Sequence, residues 1–243
     1  MLSLAVITTA YLAQQPLLSA PISKTQINTA YSQNIQPIKQ EFIIKITQSE
    51  NTINQIILQK RQHILSLIQK KSLSKQEITQ LQALAKQYKL NNLHFKHPHD
   101  FSVLLKRVDI IPNALISAQA INESNWGRSR FAVEGNNFFG MRCHYPGCGI
   151  IPKARPANNH WEVANYSSMT ASVRAYIHTL NTHNAYQALR DLRADMRANH
   201  QDISAFKLAE GLTAYSIKGT KYVELIQAII TRYLSKDSTS QIA

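Results

Sequence analysis

Residues 111–140 read IPNALISAQAINESNWGRSRFAVEGNNFFG, and their spacing decides how the chain folds. Pro112 suits a first helical position, where its fixed φ and missing N–H cost nothing. Ala114, Leu115, Ala118 and Ile121 then recur at helical spacing, which predicts a short buried helix. Asn125, Trp126 and Gly127 are placed to end it with a glycine cap. The one acid inside this helix is Glu123. A lone Glu near a helix C-terminus is ordinarily a solvated surface residue. One held against apolar and aromatic groups is desolvated, its pKa rises, and it becomes able to give up a proton as a general acid.

Downstream, Arg128–Gly135 reads as a loop with Phe131 turned inward. Asn136 and Asn137 suit a turn held by their side-chain amides, and Phe138, Phe139 and Gly140 form a wall beside Glu123. Cys143 and Cys148 are the only cysteines and bracket His-Tyr-Pro-Gly. Their spacing allows a disulfide if the backbone turns at Pro146-Gly147, whereas CxxxxC is not the redox-active CxxC spacing. Gly149, Pro152 and Pro156 break up the next stretch, and residues 160–166 alternate at strand period, predicting a small β-hairpin. Glu162 stands on that strand, either as a carboxylate facing Glu123 across a groove or as an exposed strand residue paired with an Arg. Helical spacing returns at Val173, Tyr176 and Leu180, then at Tyr186, Leu189, Leu192 and Met196. Asp191, Asp195, Arg190, Arg193 and Arg197 interleave as helix-surface pairs. Tyr215 precedes a turn, and Tyr222, Leu225, Ile226 and Ile229 open a last helix.

Upstream, Ile38, Phe42, Ile46, Ile53, Ile57, Ile64 and Leu67 fall near one face of a long helix. Ser74-Lys-Gln-Glu77 is a capping box for a second helix carrying Ile78, Leu81, Leu84 and Ala85. This prefix is expected to be a helical hairpin packed on the domain that follows. Residues 1–20 are uncharged and mostly apolar, too short to span a bilayer, and read as a secretory segment or signal-like apolar run. Residues 21 to about 31 lack periodicity and read as a linker. His94, His97 and His99 surround a proline without helical metal-ligand spacing or a cysteine, so no metal is assigned. The chain carries 27 basic and 14 acidic residues, a net +13, spread as +7 over residues 1–95 and +6 over the rest. Such a charge suits polyanions in general, including acidic lipid at a membrane surface. No recognition helix, zinc spacing or RNA-stacking motif accompanies it, so nucleic acid is not an expected partner.

Glu123-Ser124, Trp126-Gly127, Ser129 and then Asn137-Phe-Phe139-Gly140 resemble the mark of the bacterial glucosaminidases of glycoside hydrolase family 73, Glu-Ser-x-Trp-Gly-x-Ser followed by Asn-x-Phe-Gly. The similarity runs from about Arg107 to Leu234 and is closest to the Bax-type members. It implies a mainly α (α+β), lysozyme-like domain with a small β-lobe, organised as 1–20 apolar segment, 21–95 linker and helical prefix, 96–235 catalytic domain and 236–243 tail. It further implies an exported hydrolase of the periplasm or cell envelope that needs no cofactor. The bond cut is the β-1,4 bond after N-acetylglucosamine in peptidoglycan glycan strands. By resemblance Glu123 is the acid, and Glu162 is a partner base unless the substrate's own N-acetyl oxygen attacks. Tyr215 then steadies the reacting sugar, while Trp126, Asn137, Phe139 and Tyr222 shape or contact the substrate. The family often reads Tyr-Ala-Thr-Asp-Pro-x-Tyr before its last helix. Here Ser216-Ile-Lys-Gly-Thr220 replaces the acidic turn and is one residue longer. Two other readings stand beside it: a lytic transglycosylase, which the Glu-Ser pair also fits, and a non-catalytic peptidoglycan-binding module whose basic helical prefix recruits a partner.

Overall fold

The computed structural model describes residues 24–156 and 158–234, with side chains from Gln36 onward. The apolar segment 1–20 and the tail 236–243 lie outside the described residues. The chain divides into two units, residues 1–37 and 38–243. Of the first, the backbone from Lys24 is helical, within the stretch read as a linker. Residues 24–36 contain neither Pro nor Gly, so helix forms without the apolar period that would announce it.

The helices are α1 (Lys24–Ile68), α2 (Lys75–Gln87), α3 (Pro98–Arg107), α4 (Asn113–Ser124), α5 (Arg130–Gly135), α6 (Met169–Thr182), α7 (Gln187–Ala198), α8 (Ala205–Leu208) and α9 (Thr220–Ile229). Three short strands, β1 (Arg142–Cys143), β2 (Gly149–Ile150) and β3 (Glu162–Ala164), complete a mainly helical, lysozyme-like fold. No helix of the described residues is long and apolar enough to cross a membrane.

Helix α4 is the centre. Leu115, Ile116, Ala118, Ala120 and Ile121 are all buried, and so are the polar Ser117, Gln119 and Ser124. A helix covered on every side needs neighbours all round. Each buried Leu or Ile there contributes roughly 1.5–3 kcal/mol. Pro112 takes the N-cap, one position earlier than its sequence suggests, and Ala114 is only half-buried. The helix ends on three successive left-handed residues, Asn125, Trp126 and Gly127. A Cβ at Gly127 would stand 2.9 Å from the Phe42 ring, so only glycine both adopts this φ of +73° and admits α1.

The prefix belongs to the same core. From α1, Phe42, Ile46, Ile53, Ile57, Ile64 and Leu67 are buried in one cluster with Leu81 and Ala85 of α2 and the apolar residues of α4 and α6. Ile38, at the start of the stripe, is exposed. Ser74 and Glu77 form the capping box reciprocally. Polar contacts fasten α1 to the central helix: Asn54 Nδ2 donates to the Ile111 carbonyl at 2.8 Å, and Ser117 Oγ donates to Glu50 Oε1 at 2.8 Å.

Glu50 is completely buried, and its second oxygen has no partner. Burial drives its pKa well above the usual carboxylate value. Below about pH 4.3 both folded and unfolded states are protonated; above it only the unfolded state ionises freely, so stability is lost as pH rises towards the folded pKa, by about 1.4 kcal/mol per pH unit. Glu50→Gln lacks this dependence. Thermal melts at pH 4 and pH 7 should therefore show the variant gaining steadily on the wild type, and a constant difference would refute a buried, protonated Glu50.

The β-lobe is a three-stranded antiparallel sheet in the order β1-β3-β2 rather than a hairpin. Strand β3 lies in the middle, with Arg142 opposite Val163 on one side and Ile150 opposite Val163 on the other. The disulfide between Cys143 and Cys148, Cα atoms 6.2 Å apart, closes the loop that joins β1 to β2, and these two strands run in the same direction on either side of β3.

Two further expectations change. Arg130–Gly135 is a helix capped by Ser129 Oγ, not a loop, and it buries Ala132 while Phe131 stays half-exposed under the Arg130 guanidinium. On α7, Arg190 and Arg193 are buried rather than paired on the surface. Arg193 is 1% exposed and donates to the carbonyls of Lys106, Asp109 and Ile110. Asp109 stands at the centre of these cations. Its carboxylate accepts two hydrogen bonds from Arg197, at 3.1 and 2.9 Å, with Arg61 Nη1 at 3.4 Å and Arg193 Nε at 4.0 Å. This cluster ties α1, α3 and α7 to the segment that enters α4.

Candidate active site

Glu123 lies in the last turn of α4, where the helix delivers it half-buried among tyrosines. Tyr222, from the start of α9, donates its hydroxyl to Glu123 Oε1 at 3.1 Å. Asn122 Nδ2 donates to the same oxygen at 3.0 Å. Gln119 sits one turn earlier on α4, completely buried, and its Nε2 donates to the Tyr222 hydroxyl at 3.1 Å. With its lone pair so engaged, the Tyr222 hydrogen is directed at Glu123. Spacing of four residues places Gln119 and Glu123 on one helix face, and this is the sequence signal for Gln119.

Burial raises the Glu123 pKa, and this outweighs the opposing hydrogen bonds from Asn122 and Tyr222 and the charge of Lys218. Lys218 comes from the turn where this chain departs from the family wording. Tyr215 stacks on Tyr222 with ring centres 4.7 Å apart, and its hydroxyl donates to the Phe139 carbonyl at 3.1 Å. Burial, followed by the nearby Glu123 charge, raises the pKa of Tyr215. Tyr222 is likewise raised, by burial and then by Tyr215 and Glu123. Both phenols therefore stay protonated and act as donors.

Tyr222→Phe removes a donor that favours the ionised carboxylate. The carboxyl pKa of Glu123, followed by NMR titration of 13C-labelled glutamate, should move up further, and an unchanged or lower value would contradict the geometry.

The remaining sequence-chosen residues are divided. Asn137 is 2% exposed and spends its amide on backbone: Nδ2 donates to the carbonyls of Met141 and Ala164, and Oδ1 accepts from the N–H groups of Phe139 and Met141. It clamps the turn after α5 to β3. Phe139, also 2% exposed, stacks on Tyr176 at 4.0 Å. A buried amide and a buried ring hold the wall, which accords with the shaping rather than the contacting half of their expected role. Trp126 packs edge-on against Phe42 and Tyr233, with Lys39 Nζ 5.0 Å above its ring. Tyr222, 3% exposed, reaches the acid itself.

Glu162 is 5% exposed, and both its oxygens are engaged by the disulfide loop: Oε1 accepts from the Gly147 N–H at 3.0 Å and Oε2 from the Gly149 N–H at 2.8 Å. Those N–H groups hold its pKa below the usual carboxylate range. It is an ionised anchor for the loop. One of its oxygens and the two cysteine sulfurs lie within 4.8 Å of one another, but the sulfurs are consumed by the disulfide. His97 caps α3, and the Asp100 carboxylate accepts from the N–H groups of His94 and Phe95.

A helical core with a small β-lobe and a half-buried, tyrosine-held glutamic acid on its central helix places the chain in the lysozyme-like class of folds. Within that class the chain belongs to the glucosaminidase family: the family model described as mannosyl-glycoprotein endo-beta-N-acetylglucosaminidase matches residues 99–235. The chain is 34% identical to protein Bax of Escherichia coli strain K12 over 189 residues, 76% of this chain and 66% of that protein. It is 26% identical to the exo-glucosaminidase LytG of Bacillus subtilis strain 168 over 138 residues, 54% of this chain and 47% of that protein. The chain thus spans just under two thirds of the first relative and about half of the second. No solved structure matches significantly.

Proposed function

We propose that this chain is an exported peptidoglycan hydrolase that cuts the β-1,4 bond following N-acetylglucosamine, with Glu123 as the general acid. The observation that carries the reading is the carboxyl of Glu123, raised in pKa by burial and held by Tyr222. In the reaction its proton passes to the leaving oxygen as the C1–O bond breaks.

The engagement of both Glu162 oxygens favours the route in which the substrate's N-acetyl oxygen attacks C1 and water then opens the cyclic intermediate. Glu162 then serves by fixing the disulfide loop, and Tyr215 steadies the intermediate. The disulfide fits an oxidising compartment outside the cytoplasm. Family membership supports the sugar specificity. The endo mode follows the description of the family, while the similarity to a protein named exo-glucosaminidase makes the exo mode the outcome to test against.

Purified protein is incubated with isolated peptidoglycan, and the reduced products are analysed by mass spectrometry. Internal fragments with new reducing N-acetylglucosamine ends are expected. Release of single sugars from chain ends would replace endo by exo action. Anhydro-muramic ends would make the protein a lytic transglycosylase, and intact glycan bound to folded protein would leave only a binding module. Inhibition by a thiazoline mimic of the cyclic intermediate is expected if the acetamide attacks; its absence would return the base role to Glu162.

A further inference from the structure

The two oxygens of the Glu123 carboxyl are not equivalent. Oε1 accepts two hydrogen bonds, from the Tyr222 hydroxyl at 3.1 Å and from Asn122 Nδ2 at 3.0 Å. Oε2 accepts none from the described residues and is not among the buried polar atoms left without a partner, so it is open to solvent. Only one hydrogen fits between two oxygens at the Tyr222–Oε1 distance. That place is taken by the phenolic hydrogen. A proton on Oε1 could enter this hydrogen bond only if the tyrosine turned its own hydrogen away.

Gln119 opposes that turn. Its Nε2 gives a hydrogen to the same phenolic oxygen at 3.1 Å, so behind Tyr222 stands a donor rather than an acceptor. Gln119 is completely buried, this is its one side-chain hydrogen bond among the described residues, and its Oε1 has no partner. An unpaired oxygen in the core destabilises the fold, and an apolar side chain of the same length would remove it. The amide is thus a costly polar group whose single bond goes to the tyrosine that holds the acid.

We infer that Gln119 is a positioning residue: by donating to Tyr222 it keeps the phenolic hydrogen on Glu123 Oε1 and the acidic proton on Oε2, the oxygen open to substrate. In the reaction the Oε2–H bond breaks as the bond from that hydrogen to the leaving oxygen forms. The electron pair stays on the carboxylate, whose Oε1 keeps both donors. The effect on turnover rests on the general-acid reading of Glu123. The effect on its ionisation does not, and is read without substrate.

The test is 13C NMR titration of the Glu123 carboxyl in the full chain, in the wild type, Gln119→Met, Tyr222→Phe and the double variant. Loss of the amide frees the hydroxyl that favours the ionised form, so the Gln119→Met midpoint should rise by about half a pH unit or more. Because Gln119 acts through Tyr222, the double variant should rise no further than Tyr222→Phe. Asn122→Ala acts on Oε1 directly, and its rise should add to that of Gln119→Met. The other titratable groups that sense or act on this acid, Tyr176, Tyr186, Tyr215 and Lys218, are unchanged throughout. On peptidoglycan, kcat of Gln119→Met should fall about threefold or more while KM stays within about twofold.

Circular dichroism confirms that Gln119→Met is folded. A readout that needs no change at Gln119 is its side-chain 15N resonance in the wild type, which should titrate with the Glu123 carboxyl and cease to do so in Tyr222→Phe. A midpoint that falls in Gln119→Met would overturn the assignment by showing that the amide accepts from Tyr222 and the proton rests on Oε1. An unchanged midpoint, full additivity with Tyr222→Phe, an unchanged kcat, or a wild-type amide blind to the titration would each overturn it too. The expected coupling in a wild type that cuts no glycan would uphold the positioning and remove the hydrolase reading instead.

Discussion

Glu123→Gln is expected to lower kcat on isolated peptidoglycan by roughly 10²–10⁴-fold, the usual contribution of a positioned general acid, while leaving the fold intact. Gln keeps the size of the side chain and can still accept from Tyr222 and Asn122 through its carbonyl oxygen, so binding of glycan should change far less than turnover. What it cannot do is release a proton to the leaving oxygen. The wild-type pH profile should carry the same signature. The acid works only when protonated, and burial raises its pKa, so the limb where activity falls with rising pH should lie above the ordinary glutamate value of about 4.3. Measurement of reducing-end release from pH 4 to 9 for both proteins checks this. A variant retaining more than a tenth of wild-type turnover, or a limb at or below the ordinary value, would remove Glu123 from the acid role.

Asp109→Ala should be the most damaging single change to the fold, at about 3–5 kcal/mol, because it leaves buried cations without their counter-charge. Arg193 is 1% exposed, and burial pushes its pKa down to about 10 even with Asp109 beside it. Arg61 and Arg197 face the same carboxylate. Without Asp109 three guanidinium groups repel one another around the entry to α4. For a domain of this size such a loss lowers Tm by roughly 6–20 °C. The exposed pair Arg130–Glu134, 3.9 Å apart, is the control: Glu134→Ala should cost less than about 1 kcal/mol. Urea denaturation of the two variants separates the cases. An Asp109→Ala loss no larger than that of Glu134→Ala would mean that the arginines are satisfied by backbone carbonyls alone.

The central helix was legible because Ala114, Leu115, Ala118 and Ile121 recur at helical spacing, and the capping box at Ser74–Glu77 was legible because both partners are local in sequence. The cysteine pair was legible for the same reason, five residues apart. Arginines 190 and 193 were not. On a helix that also carries Asp191 and Asp195, alternating charge looks like a solvated face, but Arg193 is held by Asp109 and by the carbonyls of Lys106, Asp109 and Ile110, and Arg190 by the carbonyls of Leu180 and His183. The β-lobe was half legible. Strand period marked residues 160–166, but the pairing partners are two-residue strands, too short for any pattern, at the two ends of the disulfide loop.

The same division runs through the site. Sequence alone determined the candidate acid, since Glu123 is the one carboxylate of the central helix and opens the Glu-Ser-x-Trp-Gly-x-Ser motif that carries the resemblance, and it determined that tyrosines 215 and 222 follow on a terminal turn and helix. Only the tertiary structure decided what those groups do to one another. Tyr222 comes back from about a hundred residues away to donate to Glu123, Gln119 fixes the direction of that donation, and Asn137, Phe139 and Glu162 turn inward to hold loops and walls. Local pattern encodes which face of an element is apolar. Which polar group meets which is a matter of how distant elements pack, because a hydrogen bond or a pKa shift depends on a few ångströms that no single segment sets by itself.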